Sequence, residues 1–225
     1  MTRLDGSQVL VLIPIKDFSD SKTRLRAAFP IHEEKLIERL VEVSFSHLIG
    51  ILSSLSLLFG VISPSPRILD QCKNLGGAFV YRDTGENLNR ALFQAVQTIP
   101  EKQPILIIMP DLPFITREFI KTLIKEIKTE NAAIVPSISM DDSNGTAILY
   151  LKDPCLLSFQ FGEKSYLKHL EAARKINLDL RVLRYDPFAR DLDTVNDIRF
   201  LRQNLHLIHD PRQYLDVLSN LSIVI

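Results

Sequence analysis

ILIIMPDLPF, Ile105 to Phe114, joins four apolar residues to a Met-Pro break, an acidic residue and a second proline. A short continuous apolar run bounded by turn signals reads as a buried strand of a parallel sheet, and Pro110 and Pro113 each bar its regular continuation. Asp111 is therefore expected where the strand stops. In open α/β sheets that edge is where ligands bind, because the crevice lies beyond the carboxyl ends of the strands. A carboxylate held there suits a hard cation such as Mg²⁺, which takes one or two protein carboxylates together with waters and substrate phosphates. The same acid would serve equally as a helix cap or a loop charge, so the rest of the chain has to decide.

On either side of this stretch, short apolar runs alternate with helical periods. Val9 to Ile13, Leu57 to Ile62, Ala78 to Tyr81 and Ala132 to Ser137 are predicted strands. Between them, His32 to about Ser53, Arg67 to Asn74, Leu88 to Thr98 and Thr116 to Lys128 carry apolar residues at helical spacing or helix-capping signals. Pro14 to Pro30 reads as a basic loop. After Ser137 the rhythm changes: a polar turn, Met140 to Gly145, leads to a strand at Thr146 to Leu151, a helix near Tyr166 to Ile176 and a strand at Leu180 to Tyr185. Helices at Asp197 to Leu205 and Arg212 to Leu221 close the chain. This alternation implies an α/β fold with a mostly parallel, mixed central sheet and helices on both faces.

The 225 residues suffice for one such domain, taken as residues 1–225 with a helical tail from about 205. Lys plus Arg and Asp plus Glu both total 27, and this balance argues against bulk binding of nucleic acid or a membrane surface. No apolar stretch is long enough to span a bilayer, and Cys72 and Cys155 have neither disulfide-framework nor metal-ligand spacing. A cytoplasmic protein with reduced thiols is expected. The apolar tail residues, Leu205 to Ile225, would pack either on the domain or on a partner chain, so a homodimer is one expectation.

Beyond Asp111, the stretch DLDTVND places Asp191 and Asp193 two residues apart, where an extended backbone would point both carboxylates the same way. Three acids on loops at one sheet edge would repel unless a cation joined them. Alternatively, Asp193 and Thr194 simply cap the last helix while Asp191 is solvated. Lys16, Lys22 and Arg24 follow the first strand, where they would either clamp a triphosphate or form a solvated basic loop. Neither a Walker A pattern nor a dinucleotide-binding glycine fingerprint is present.

Taken together, VLIPIKDFSDSKTRL, TGENLNRAL, IIMPDLPFI, NGTAIL, FGEKSYLKHLEAA and DLDTVNDI resemble, in order from about Val9 to Ile198, the 2-phospho-L-lactate guanylyltransferases. These are also described as phosphoenolpyruvate guanylyltransferases of coenzyme F(420) biosynthesis. The resemblance implies a Rossmann-like nucleotidyltransferase fold and transfer of GMP from GTP to a three-carbon phospho-acid: 2-phospho-L-lactate, phosphoenolpyruvate or 3-phosphoglycerate. It implies Mg²⁺ on Asp111, Asp191 and Asp193, and the acceptor phosphate at Thr146, Gly162 and Ser165. Lys16, Lys22 and Arg24 fall where the GTP phosphates are expected, with Lys22 and Arg24 assisting catalysis. Asn87, Leu88 and Asn89 fall where guanine or ribose is expected.

The chain departs from the family at Asp142 to Ala147, DSNGTA, where a glycine-rich run ending in Gly-Thr-Asn is usual. Ala147 offers no side-chain hydrogen bond, and Asp141 and Asp142 add negative charge. His169 matches a family histidine and reads from the sequence as a helix residue covering a core edge. Two alternatives stand beside this reading: a nucleotidyltransferase using a sugar phosphate or cofactor precursor with another NTP, and a nucleotide-binding homologue without turnover.

Overall fold

Every residue of β1 (Leu10–Pro14), β2 (Leu58–Ser63), β4 (Ile105–Ile108), β5 (Ala132–Pro136) and β6 (Thr146–Leu151) is buried, as continuous apolar runs covered on both faces must be. With β3 (Phe79–Arg82) and β7 (Arg181–Val182) they form one sheet in the order β3-β2-β1-β4-β6-β5-β7. This computed structural model describes residues 8–84, 87–100, 102–139 and 144–222, with the backbone alone of Thr23 and Arg24. All neighbours pair in parallel except β6, which is antiparallel to both β4 and β5. The link from Pro136 to Thr146 is shorter than the dozen or more residues that a parallel crossover needs, so β6 has to turn back.

Strand alternation divides the core. Val11, Ile13, Leu106 and Ile108 face α2 (Glu34–Ser54), α3 (Pro66–Asn74) and α5 (Arg117–Ile127), packing with Phe45, Ile49, Ile68 and Leu123. Leu10, Leu12, Ile105 and Ile107 face α4 (Leu88–Val96) and α6 (Ser165–Lys175), packing with Leu92, Ala95 and Ala173. A third cluster joins α2 to α7 (Val195–Gln203) and α8 (Arg212–Ser219) through Ile37, Leu40, Ile198, Tyr214 and Leu218. In the described part of the tail, Ile208, Tyr214, Val217, Leu218 and Leu221 are buried on the domain itself, while Leu207 and Leu215 are exposed. Residues 223–225 lie outside the described residues.

Two elements differ from the sequence expectation. The basic segment is not wholly a loop. It holds a 3-10 turn, Phe18–Asp20, and the short helix α1 (Thr23–Arg26), with the Asp17 side chain capping the turn by accepting from the Ser19 N–H. The strand expected over Leu180 to Tyr185 is reduced to Arg181–Val182. Beyond it the Leu183 N–H still reaches the Ile134 carbonyl at 2.9 Å, after which Tyr185 turns to pack edge-on against Phe119. Among the described residues, no helix is long and apolar enough to cross a membrane.

Candidate active site

From β1 the chain builds β2 and β3 on one side, then returns to lay β4 on the other. The crevice between the carboxyl ends of β1 and β4 is therefore a topological switch point. Because β6 runs the opposite way, its first residue, Thr146, reaches the same edge. A cavity of about 930 Å³ opens there, with Lys16, Lys22, Asp111, Thr146, Asp191 and Asp193 among its lining residues.

One wall is acidic with a lysine at its centre. The Lys22 ammonium pairs with Asp111 Oδ2 and with Asp193 Oδ1. Lys22 sits in the left-handed region at φ 55°, on a loop anchored by Asp17, whose Oδ2 accepts from the Ser65 hydroxyl at 2.5 Å. Burial by itself would lower the Lys22 pKa, but Asp111, then Asp193 and Asp191, raise it well above the ordinary lysine value, so Lys22 is a cation. Asp191 moves the other way for a carboxyl. Burial first, then the charges of Asp111 and Asp193, push its pKa up against the opposing pull of Lys22. Leu192, between the two acids, is buried in the core, which is the alternation expected of an extended DLD segment.

Asp197, which sequence reading placed only at a helix start, organises this wall. Thr194 and Asp197 form a reciprocal capping box at the start of α7. The Asp197 carboxylate also accepts from the Asp193 N–H at 3.2 Å and the Ser139 hydroxyl at 3.1 Å. The carboxylates of Asp191 and Asp193 are thus presented by a loop tied down at its far end. Threonine followed by aspartate three residues later, in TVND, was the available signal.

The opposite wall is built of hydroxyls. The Ser165 hydroxyl lies 3.1 Å from Thr146 Oγ1, and Thr146 Oγ1 lies 3.1 Å from His169 Nδ1. His169 Nε2 accepts from the Gln160 N–H at 3.0 Å. Gly162, at φ +116°, lets the chain turn sharply into α6. His169 is fully buried, so it lies in the core behind this wall rather than at a core edge.

Of the residues singled out from sequence, Lys16, Lys22, Asn87, Leu88, Asp111, Thr146, Gly162, Ser165, Asp191 and Asp193 all line this cavity. Asn89 does not. Its amide is taken up by the Phe161 backbone, donating to the carbonyl at 3.0 Å and accepting the N–H at 2.7 Å. Asn87 caps α4 by accepting from the Asn89 and Arg90 N–H groups. The Arg24 side chain and residues 140–143, with Asp141 and Asp142, lie outside the described residues. Glu163 and Lys164, which were not singled out, also line the cavity.

The donor set suits a hard cation. Asp111 Oδ1 and Asp191 Oδ1 are buried without a hydrogen-bond partner, a costly state for carboxylate oxygens unless a cation completes them. Among the described residues, no group of three or more His, Cys, Asp or Glu side chains is arranged to hold a metal ion by itself. Mg²⁺ takes one or two protein carboxylates and draws its other ligands from substrate and water.

Comparison with known proteins supplies the family. The chain is 32% identical over 195 residues to a 2-phospho-L-lactate guanylyltransferase of Methanocaldococcus jannaschii, covering 86% of this chain and 82% of the relative. It is 31% identical over 209 residues to a phosphoenolpyruvate guanylyltransferase of Rubrobacter xylanophilus, covering 91% and 98%. The fold is shared with a Desulfovibrio desulfuricans G20 chain provisionally assigned to the nucleotide-diphospho-sugar transferases, at TM-score 0.70 and 18% identity over 93% and 96% of the two chains. It is also shared with a 4-diphosphocytidyl-2C-methyl-D-erythritol synthase of Anaerococcus prevotii, at TM-score 0.55 and 14% identity over 90% and 100%. The model of the family described as guanylyl transferase CofC like matches residues 9–215, and the chain belongs to that family.

Proposed function

We propose that this protein transfers GMP from GTP to the phosphate of a three-carbon phospho-acid, releasing pyrophosphate, in coenzyme F(420) biosynthesis. The acceptor is 2-phospho-L-lactate, phosphoenolpyruvate or 3-phosphoglycerate. The observation that carries this reading is the meeting, in one cavity of a chain of this family, of a lysine-bridged carboxylate wall and a wall of hydroxyls. An acceptor phosphate oxygen forms the new bond to the α-phosphorus of GTP as the bond to the β-phosphate oxygen breaks. The acceptor is already a nucleophile at neutral pH, so positioning and charge stabilisation suffice.

Each wall has its task. Thr146, Ser165 and the backbone around Gly162 seat the acceptor phosphate. Asp111 and Asp191 would hold Mg²⁺ with Asp193 beside them, and the ion would offset charge on the triphosphate and the acceptor carboxylate. Lys22 carries a permanent positive charge beside these acids, and Lys16 lies at the cavity mouth for the departing pyrophosphate. Asn87 and Leu88 border the space left for the nucleoside.

Pyrophosphate release is the direct test, with GTP, ATP, CTP and UTP each crossed against the three phospho-acids and a sugar 1-phosphate in the presence of Mg²⁺. Release that requires GTP and one phospho-acid is expected and names the acceptor. Release only with the sugar phosphate, or nucleotide binding without release, overturns the proposal.

A further inference from the structure

His169 lies completely buried in α6, behind the hydroxyl wall, and the reaction as described does not call on it. Its neighbours settle which ring nitrogen carries the proton. A backbone N–H can only donate, and that of Gln160 points at Nε2 from 3.0 Å, so Nε2 accepts. Burial pushes the ring pKa down to about 4 against the opposing effect of the Ser165 carbonyl, so the ring is neutral at physiological pH and its single proton sits on Nδ1. Nδ1 faces Thr146 Oγ1 at 3.1 Å.

The consequence lies one bond further on. Thr146 Oγ1 and Ser165 Oγ, 3.1 Å apart, share one hydroxyl proton between them. Two hydroxyls carry two protons, and His169 gives a hydrogen bond to the pair rather than taking one. One proton therefore remains to donate into the cavity that both residues line. Were the ring the opposite tautomer, bare Nδ1 would draw that proton inward and the wall would face its ligand with lone pairs.

We infer that His169 is a positioning residue: held as the Nδ1–H tautomer by the Gln160 N–H, it keeps one proton of the Thr146–Ser165 hydroxyl pair aimed at the ligand. This wall therefore selects a group that only accepts, such as a fully ionised phosphoryl oxygen. The inference rests on the reading of Thr146 and Ser165 as the seat of the acceptor phosphate.

Long-range ¹H–¹⁵N correlation spectra of the unmodified protein at neutral pH test the tautomer directly. A neutral ring protonated on Nδ1 is expected, and a ring protonated on Nε2 overturns the inference whatever reaction the protein carries out. Kinetics test the consequence. His169→Phe removes the donor and raises the acceptor KM about tenfold, the loss of one charge-assisted hydrogen bond, while the GTP KM changes less than about twofold. His169→Asn puts an amide donor where Nδ1 sits and restores most of the acceptor affinity. Thr146→Val combined with His169→Phe costs less than the product of the two single changes. Parallel increases in both KM values, no rescue by asparagine, or full multiplicativity would each refute the inference. Absence of pyrophosphate release from the unmodified protein with every phospho-acid would instead refute the proposed function, and the spectra would still decide the tautomer.

Discussion

Asn89 holds the backbone of Phe161 from both sides, its Nδ2 donating to the carbonyl at 3.0 Å and its Oδ1 accepting the N–H at 2.7 Å. One side chain on α4 thus satisfies both polar groups of a loop residue seventy-two positions away. That loop continues through Gly162 into Ser165, so α4 sets the height of the hydroxyl wall.

Asn89→Asp should weaken that wall specifically. The carboxylate can still accept the Phe161 N–H but leaves the Phe161 carbonyl facing a negative charge. A loss of about 1 to 3 kcal/mol of stability is expected in urea melts, together with an acceptor KM raised more than the GTP KM. Equal changes in the two KM values would mean that Asn89 contacts the nucleotide instead.

Gly162→Ala tests the same wall from the backbone. At φ +116° an alanine is strained although its Cβ meets nothing within 4 Å, so the cost, about 1 to 3 kcal/mol, is conformational rather than steric. A thermal melt unchanged from the unmodified protein would show that the loop relaxes to another conformation.

Lys22→Met removes the cation shared by Asp111 and Asp193. Asp111 is buried, so leaving it unpaired should cost about 3 kcal/mol in the absence of divalent cations, with turnover lost. Asp193 is more than half exposed and should contribute little to that cost. Asp111→Asn should abolish turnover while circular dichroism and thermal melting show a folded protein. Retained activity would rule out the proposed role of Asp111.

Divalent cations bear on the two unpartnered oxygens, Asp111 Oδ1 and Asp191 Oδ1. At about a hundredfold excess over its dissociation constant, Mg²⁺ should raise the melting temperature by about 5 °C or more, and a chelator should reverse this. Asp191→Asn should abolish the shift. A shift that survives in that variant would place the cation elsewhere.

His169 also predicts a pH dependence. Its pKa is depressed from 6.5 to about 4 by burial, so between those values the unfolded chain binds a proton that the folded protein does not. The stability tied to the neutral ring is fully present above pH 6.5 and is lost as pH falls toward 4, up to about 3 kcal/mol in all. Urea melts across this range should show a shallower slope for His169→Asn than for the unmodified protein. Identical slopes would mean that the ring is not held neutral.

Most of the architecture was legible in local patterns. Runs such as VLVLI and ILII, short, rich in β-branched residues and bounded by turn signals, read as covered strands, and the prolines after them mark where the sheet edge opens. DLDTVND carried both its alternation, with Leu192 inward, and its capping signal. Asp111, Asp191, Asp193, Thr146 and Ser165 could be singled out because strand ends and helix starts are written in short-range chemistry. What those side chains touch was not legible, because contacts between residues far apart in sequence depend on the strand order, which sets β4 beside β6 rather than beside β5. Asn89 shows this clearly: its position in TGENLNRAL suggested a ligand contact, and packing turned it toward Phe161. Lys22 looked like one cation of a basic loop until the fold set it among three acids, and His169 like a helix residue covering a core edge until burial and its contacts with Gln160 and Thr146 placed it behind the site. Local sequence thus determined the elements and the kinds of chemical group at their ends. Tertiary structure alone decided the partners, because a hydrogen bond or ion pair exists only where folding has removed water and brought the second group within reach.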